Sequence, residues 1–302
     1  MGNCLKCFNT NNSNDNAVST QRIQISEKIS QDSRFETEEL LQTTNLNNKT
    51  NHYDSNNFNK MPLVINGNSS SSLIDDKTTN QSVKESQLTD NAINKLFEEY
   101  KDKDEDAILS EGIERLCQDL QYSPDEFPIL VLAFCLDAKQ MCKFTKQEFI
   151  YGLRNLNAST INELRLRIIQ IVEKLQSDDD LFKQLYRFTF HFGLDEGARI
   201  LNLDMAMSLW KLVYYVHTPD NNLLERWLSF LSKENIRGIQ RDTWLMFQNF
   251  AECFDINSYD SDEAWPSLFD DFVEYEIIRL KIFDQNIDKE VEQESNNNNN
   301  VL

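Results

Sequence analysis

Glycine, proline and histidine are scarce in this chain: seven, five and three among 302 residues. So little glycine goes with the absence of any glycine-rich loop that could cradle a phosphate. The histidines are His52, His191 and His217. His191 lies in Phe188-Thr189-Phe190-His191-Phe192, where an aromatic cluster on a helix speaks for packing more than for chemistry. No run approaches the eighteen apolar residues of a membrane-spanning helix, and no secretory apolar region is present. The six cysteines lack the spacing of a disulfide scaffold. Cys117, Cys135, Cys142 and Cys253 fall inside helical apolar patterns, where a thiol acts as a small hydrophobe, which points to a reducing, intracellular setting. No cofactor and no catalytic residue is expected.

Basic charge is scarce too, with 30 Lys and Arg against 50 Asp and Glu. The first 90 residues carry 8 and 11 of these, leaving 22 and 39, a net of −17, for the rest. So acidic a surface repels a phosphate backbone, which argues against nucleic acid. It suits basic protein partners through steering, and it suits solubility alone equally well.

What the chain does contain is unevenly spread. Residues 1–90 hold sixteen Asn with abundant Ser, Thr and Gln, a composition that cannot offset the entropy of ordering and is expected to be a disordered tail. Aromatic and aliphatic density then rises and stays high, predicting one folded domain over 91–283. A polar tail, 284–302, ends with Asn296–Asn300, Val301 and Leu302.

The chain begins Met1-Gly2-Asn3-Cys4-Leu5-Lys6-Cys7. Loss of Met1 would expose Gly2 as a myristoyl acceptor, and Cys4 and Cys7 are placed for palmitate. One myristoyl chain binds a membrane only marginally, so the thiols would supply the second signal. Lys6 stands where the pattern prefers Ser or Thr. Half a zinc or redox site is the alternative reading of the thiol pair, but no second pair lies near.

Between these ends the punctuation is helical. Ile93, Leu96, Phe97 and Tyr100 form one stripe, and Ile113, Leu116, Cys117 and Leu120 another. Ser123-Pro124-Asp125-Glu126 reads as a capping box with Pro at the first helical position, stapled by Tyr122 and Phe127. Thr145 to Glu148 repeats the box, with Phe144 and Phe149 as staple, and Thr160 with Glu163 makes a third. Amphipathic runs follow over 181–192, 203–215, 223–231, 242–254 and 265–282. The expected class is all-α, with nine or ten helices in a single domain. Two loops resemble calcium sites without their chemistry. Residues 102–113 have Asp102, Asp104 and Asp106 but Ala107 and Ile113 in place of the turn glycine and the bidentate carboxylate. Residues 137–148 keep Asp137 and Glu148 but put Lys139, Met141 and Cys142 between them.

The segment Asn257-Ser258-Tyr259-Asp260-Ser261-Asp262-Glu263-Ala264-Trp265-Pro266-Ser267-Leu268-Phe269-Asp270-Asp271-Phe272-Val273-Glu274-Tyr275 resembles the carboxyl end of the defective-in-cullin-neddylation (DCN1-like) family, in its potentiating-neddylation (PONY) domain. Phe144–Phe149, Tyr186–Phe192 and Arg241-Asp242-Thr243-Trp244 agree with the same family in the same order. The resemblance covers roughly 92–280. It implies a fold of paired EF-hand-like helix units without calcium. The start of the chain resembles the myristoylated, membrane-anchored branch.

The resemblance further implies a non-catalytic co-ligase that promotes cullin neddylation. Asp242, Ala264 and Asp270 would bind the cullin carboxyl-terminal domain. An apolar pocket of Ile113, Ile129, Leu132, Ala133, Leu136, Met141, Cys142, Phe144, Phe192, Leu209 and Leu212 would take the acetylated amino terminus of the conjugating enzyme, with the RING-box subunit as a further partner. The expected location is cytoplasmic and, through acylation, membrane-associated, with a nuclear pool. The residues themselves leave other readings open: both aspartates suit helix starts, and the apolar set suits ordinary core. The rival function is a membrane-tethered helical adaptor, or a degenerate calcium sensor, with unrelated partners.

Overall fold

The computed structural model describes residues 89–219, 222–234 and 236–299. Among these are ten helices and only four strands, each of three residues, so the fold is all-α as expected. In chain order they begin with α1 (89–100), β1 (Ala107–Leu109), α2 (Ser110–Leu120), α3 (Phe127–Cys135) and β2 (Lys143–Thr145). Next come α4 (Lys146–Asn155), α5 (Ile161–Leu175), α6 (Asp179–Phe192), β3 (Ile200–Asn202) and α7 (Leu203–Val213). The last are α8 (Leu223–Lys233), β4 (Gly238–Gln240), α9 (Arg241–Cys253) and α10 (Ser267–Asn299). The backbone of α10 stays helical past residue 283, where composition had drawn the end of the domain.

The elements fall into two compact units. One holds the chain up to Pro124 together with Thr145–Glu173; the other holds Asp125–Phe144 and everything from Lys174. In the first, Phe97 of α1 meets Phe149 of α4 at 5.9 Å between ring centroids, and the Tyr100 hydroxyl donates to Asp119 of α2 at 2.6 Å. Gly112 lets α2 come this close, because a Cβ there would lie 2.0 Å from the Tyr100 carbonyl oxygen.

Two of the three predicted capping boxes form. At α4, the Glu148 N–H donates to Thr145 Oγ1 and the Thr145 N–H to Glu148 Oε2, at 3.3 and 2.8 Å. At α5, Thr160 and Glu163 exchange the same bonds at 3.3 and 3.1 Å, and the Ser159 N–H adds a third at 2.7 Å. The box at Ser123 does not cap a helix: α3 starts at Phe127, with Glu126 as its N-cap and Pro128 in its first turn. The cause is upstream. Gln121 at φ 63° and the bond from the Tyr122 N–H to the Cys117 carbonyl are still closing α2. Residues 123–126 are then needed for the turn, and Pro128, which has no N–H to lose, sets the helix start.

In the second unit, α6–β3–α7 and α8–β4–α9 are joined by antiparallel β3 and β4, in the register Ile200↔Gln240, Leu201↔Ile239, Asn202↔Gly238. That is the paired EF-hand-like arrangement. Behind it lies an aromatic core: Trp210 stacks on Trp244 at 4.7 Å, and Tyr186 on Trp244 at 5.1 Å. Tyr186 links two of the tryptophans there, its hydroxyl donating to the Trp244 carbonyl and accepting from Trp210 Nε1. Glu276 of α10, fully buried, is bound by Arg226 of α8 and by Arg279.

The calcium-like loops have other employment. Asp102 accepts from the backbone N–H groups of Asp104 and Glu105, which hold its carboxyl below the usual range. Lys139 folds onto Asp137 at 2.5 Å, and Glu148 serves the α4 box.

The cysteines divide. Cys117 and Cys135 are buried as expected, and burial pushes the Cys135 thiol up to about 12. Cys253 is exposed instead, and Cys142 lies in the turn before β2 at φ 59°.

Candidate functional site

Asp242 is exposed in the first turn of α9, where unpaired N–H groups favour an acid. The helix start that carries it is pinned to α6 by Trp244. Thr243 is buried, and Trp244 Nε1 donates to the Tyr186 carbonyl at 3.0 Å. Beside Asp242, Arg241 helps to hold His191 below its ordinary pKa, after partial burial of the ring and ahead of Lys139. His191 is thus on the solvent side of α6, outside the packing that its aromatic neighbours suggested.

Ala264 is exposed and Asp270 half-buried. Their chain neighbours Trp265 and Phe269 belong to one aromatic cluster. Trp265 meets Phe250 of α9 and Phe269 of α10 at 5.8 and 5.9 Å, and Phe250 stacks on Phe269 at 4.5 Å. The Tyr259 hydroxyl donates to Asp270 Oδ1 at 2.6 Å. Burial, and then that bond to a carboxylate, raise the Tyr259 pKa well above its ordinary value, so it stays a donor. Along α9, Asp242 precedes Phe250 by about two turns, or about 12 Å at the helical rise per residue.

The apolar set is less uniform than its sequence pattern implied. Ile129, Leu132, Ala133, Leu136, Phe144, Phe192 and Leu209 are buried in the second unit. Ile113, also buried, belongs to α2 of the first. Met141, Cys142 and Leu212 are half-buried, and only these three offer surface. Gly193 brings the end of α6 against α7, since a Cβ there would fall 2.3 Å from Leu209 Cδ1. Two aromatic residues outside the predicted pocket set join the surface: Phe134 and Phe188 are half-buried and meet edge-on at 5.5 Å, and Phe188 stacks on Phe192. Phe134 is the one residue of α3 that is not buried, a distinction no apolar run can signal.

Gly2, Cys4 and Cys7 lie outside the described residues. Among the described residues no helix is long and apolar enough to cross a membrane. Nor is any group of three or more His, Cys, Asp or Glu disposed there to hold a metal.

Comparison with known proteins gives a consistent result. Residues 163–275 match a family described as cullin binding. The chain is similar to DCN1-like protein 3 of Drosophila melanogaster, with 45% identity across all of this chain and 96% of the relative. It is similar to DCN1-like protein 3 of Xenopus tropicalis, 49% identical over 195 residues, and of Homo sapiens, 47% identical over the same length. Those two matches cover 63% of this chain and 63% of each relative.

Proposed function

The chain belongs to the DCN1-like, cullin-binding family, and from that premise we propose that it is a scaffold-type co-ligase for cullin neddylation. Asp242, Ala264 and Asp270 bind the cullin carboxyl-terminal domain, while the apolar face takes the acetylated amino terminus of the conjugating enzyme. Holding both, with the RING-box subunit alongside, raises the effective concentration of the charged thioester near the acceptor lysine and orients it. No group on this chain need react. The observation that carries the reading is the exposed, pinned Asp242 within a family-matched segment of an acidic protein. Carboxylates so placed pair with Lys and Arg of a partner.

In a purified neddylation assay, Asp242→Ala with Asp270→Ala should cut the stimulated rate at least roughly tenfold, as loss of two charge-assisted contacts implies. Circular dichroism should remain that of the wild type. Unchanged stimulation by this folded variant would reject the patch.

We also propose that Gly2 is myristoylated and Cys4 and Cys7 palmitoylated, placing this activity at membranes. Fractionation with a labelled myristate analogue tests it: wild type should carry label and sediment with membranes, Gly2→Ala should do neither, and an unlabelled wild type would end this part.

A further inference from the structure

A surface carboxylate recognises a partner well only if its oxygens point outward before the partner arrives. Asp270 is poorly placed to do this unaided. It lies in the first turn of α10, where backbone N–H groups lack helical partners and attract a short acidic side chain back onto its own helix. The structure shows it turned elsewhere. Its Oδ1 accepts the Tyr259 hydroxyl at 2.6 Å, a length typical of a charge-assisted O–H···O⁻ bond.

We infer that Tyr259 is a positioning residue of the cullin-binding surface, one that aims the Asp270 carboxylate and leaves Oδ2 for a basic group of the partner. The inference rests on the function proposed above and deepens it.

Three features make Tyr259 suited to this. Its ring is held edge-on by Phe250 at 6.2 Å, and Phe250 is buried and stacked on Phe269, the residue before Asp270. Donor and acceptor therefore share one support. Among the described residues the bond to Asp270 is the hydrogen bond shown for the hydroxyl, and Glu263, the other carboxylate acting on it, instead accepts from Trp265 Nε1. Finally, Tyr259 lies on the same loop as Ala264, whose small side chain leaves room for close approach by a partner at the carboxylate.

The effect on binding should therefore run through the charge of Asp270 and not through general loop order. Asparagine at 270 separates the two, because its carbonyl can still accept from Tyr259 while the charge is gone. Using the full chain and a cullin carboxyl-terminal domain, calorimetry should find Tyr259→Phe weakened roughly three- to tenfold, with a shallower dependence on salt. Tyr259→Phe added to Asp270→Asn should change affinity less than about twofold beyond Asp270→Asn alone. If Asp270→Asn binds weakly but Tyr259→Phe binds like wild type, the positioning role is wrong and the patch stands. A full Tyr259→Phe loss persisting on Asp270→Asn would make Tyr259 a loop anchor and also overturn the inference. Wild-type binding by Asp270→Asn itself would remove both the patch and the role assigned to Tyr259.

Discussion

Asp242 and Ala264 lie open on the second unit, while Leu132, Leu136 and Leu209 of the same unit have almost no exposed surface. The acidic surface is displayed by its surroundings: Tyr186 pins the start of α9, and Trp265, Phe250 and Phe269 support Ala264 and Asp270. The apolar set is instead mostly consumed by packing, so that only Met141, Cys142, Leu212, Phe134 and Phe188 present anything to a ligand. An exposed acid has no use in the core and can be read as a recognition group. A buried leucine serves the core whether or not a peptide ever binds nearby.

The sharpest way to break this contrast is to place charge on each kind of apolar position. Leu136 closes α3 and is 1% exposed, so Leu136→Asp should lower stability by several kcal/mol, on the order of 4, and depress the melting temperature steeply. It is therefore no test of peptide binding. A variant that melts like wild type would show that the site is far looser than its burial implies. Leu212 is half-buried. Leu212→Asp should cost only about 1 kcal/mol yet abolish the preference for an acetylated over a free conjugating-enzyme peptide, since a carboxylate at the rim would welcome the ammonium. Calorimetry with both peptides decides it; an intact preference would move the pocket away from α7.

A smaller effect should come from an acid that is structural alone. Glu163, in the first unit, is held below its ordinary pKa chiefly by the Ser159 N–H. Because the folded value is lowered, its contribution is present above the unfolded pKa, near 4.5, and is lost as pH falls through the folded value. Glu163→Gln should thus cost roughly 0.5–1 kcal/mol at neutral pH. The gap from wild type should close on acidification below that range, and cullin binding should be untouched. A binding defect in Glu163→Gln would show that acidity in general, and not the α9–α10 surface, draws the cullin.

Much of the helical organisation was written in local signals. Thr145–Glu148 and Thr160–Glu163 formed the predicted boxes because such bonds close within four residues and need nothing distant. Ser123–Glu126 had the same letters and failed, because the end of α2 had already claimed the preceding residues. Asn202, which accepts from the Asp204 N–H at 2.9 Å, capped α7 without a box pattern to announce it.

By itself the sequence determined the helical class, the acidic surface and the segment that marks the family, since periodicity, net charge and motif order survive without coordinates. Tertiary structure alone decided which apolar residues keep a free face, that Cys253 and His191 face solvent, and that Tyr259 holds Asp270. Those facts depend on neighbours far apart along the chain: Phe134 meets Phe188, and Phe250 meets Phe269, only because folded helices bring their faces together.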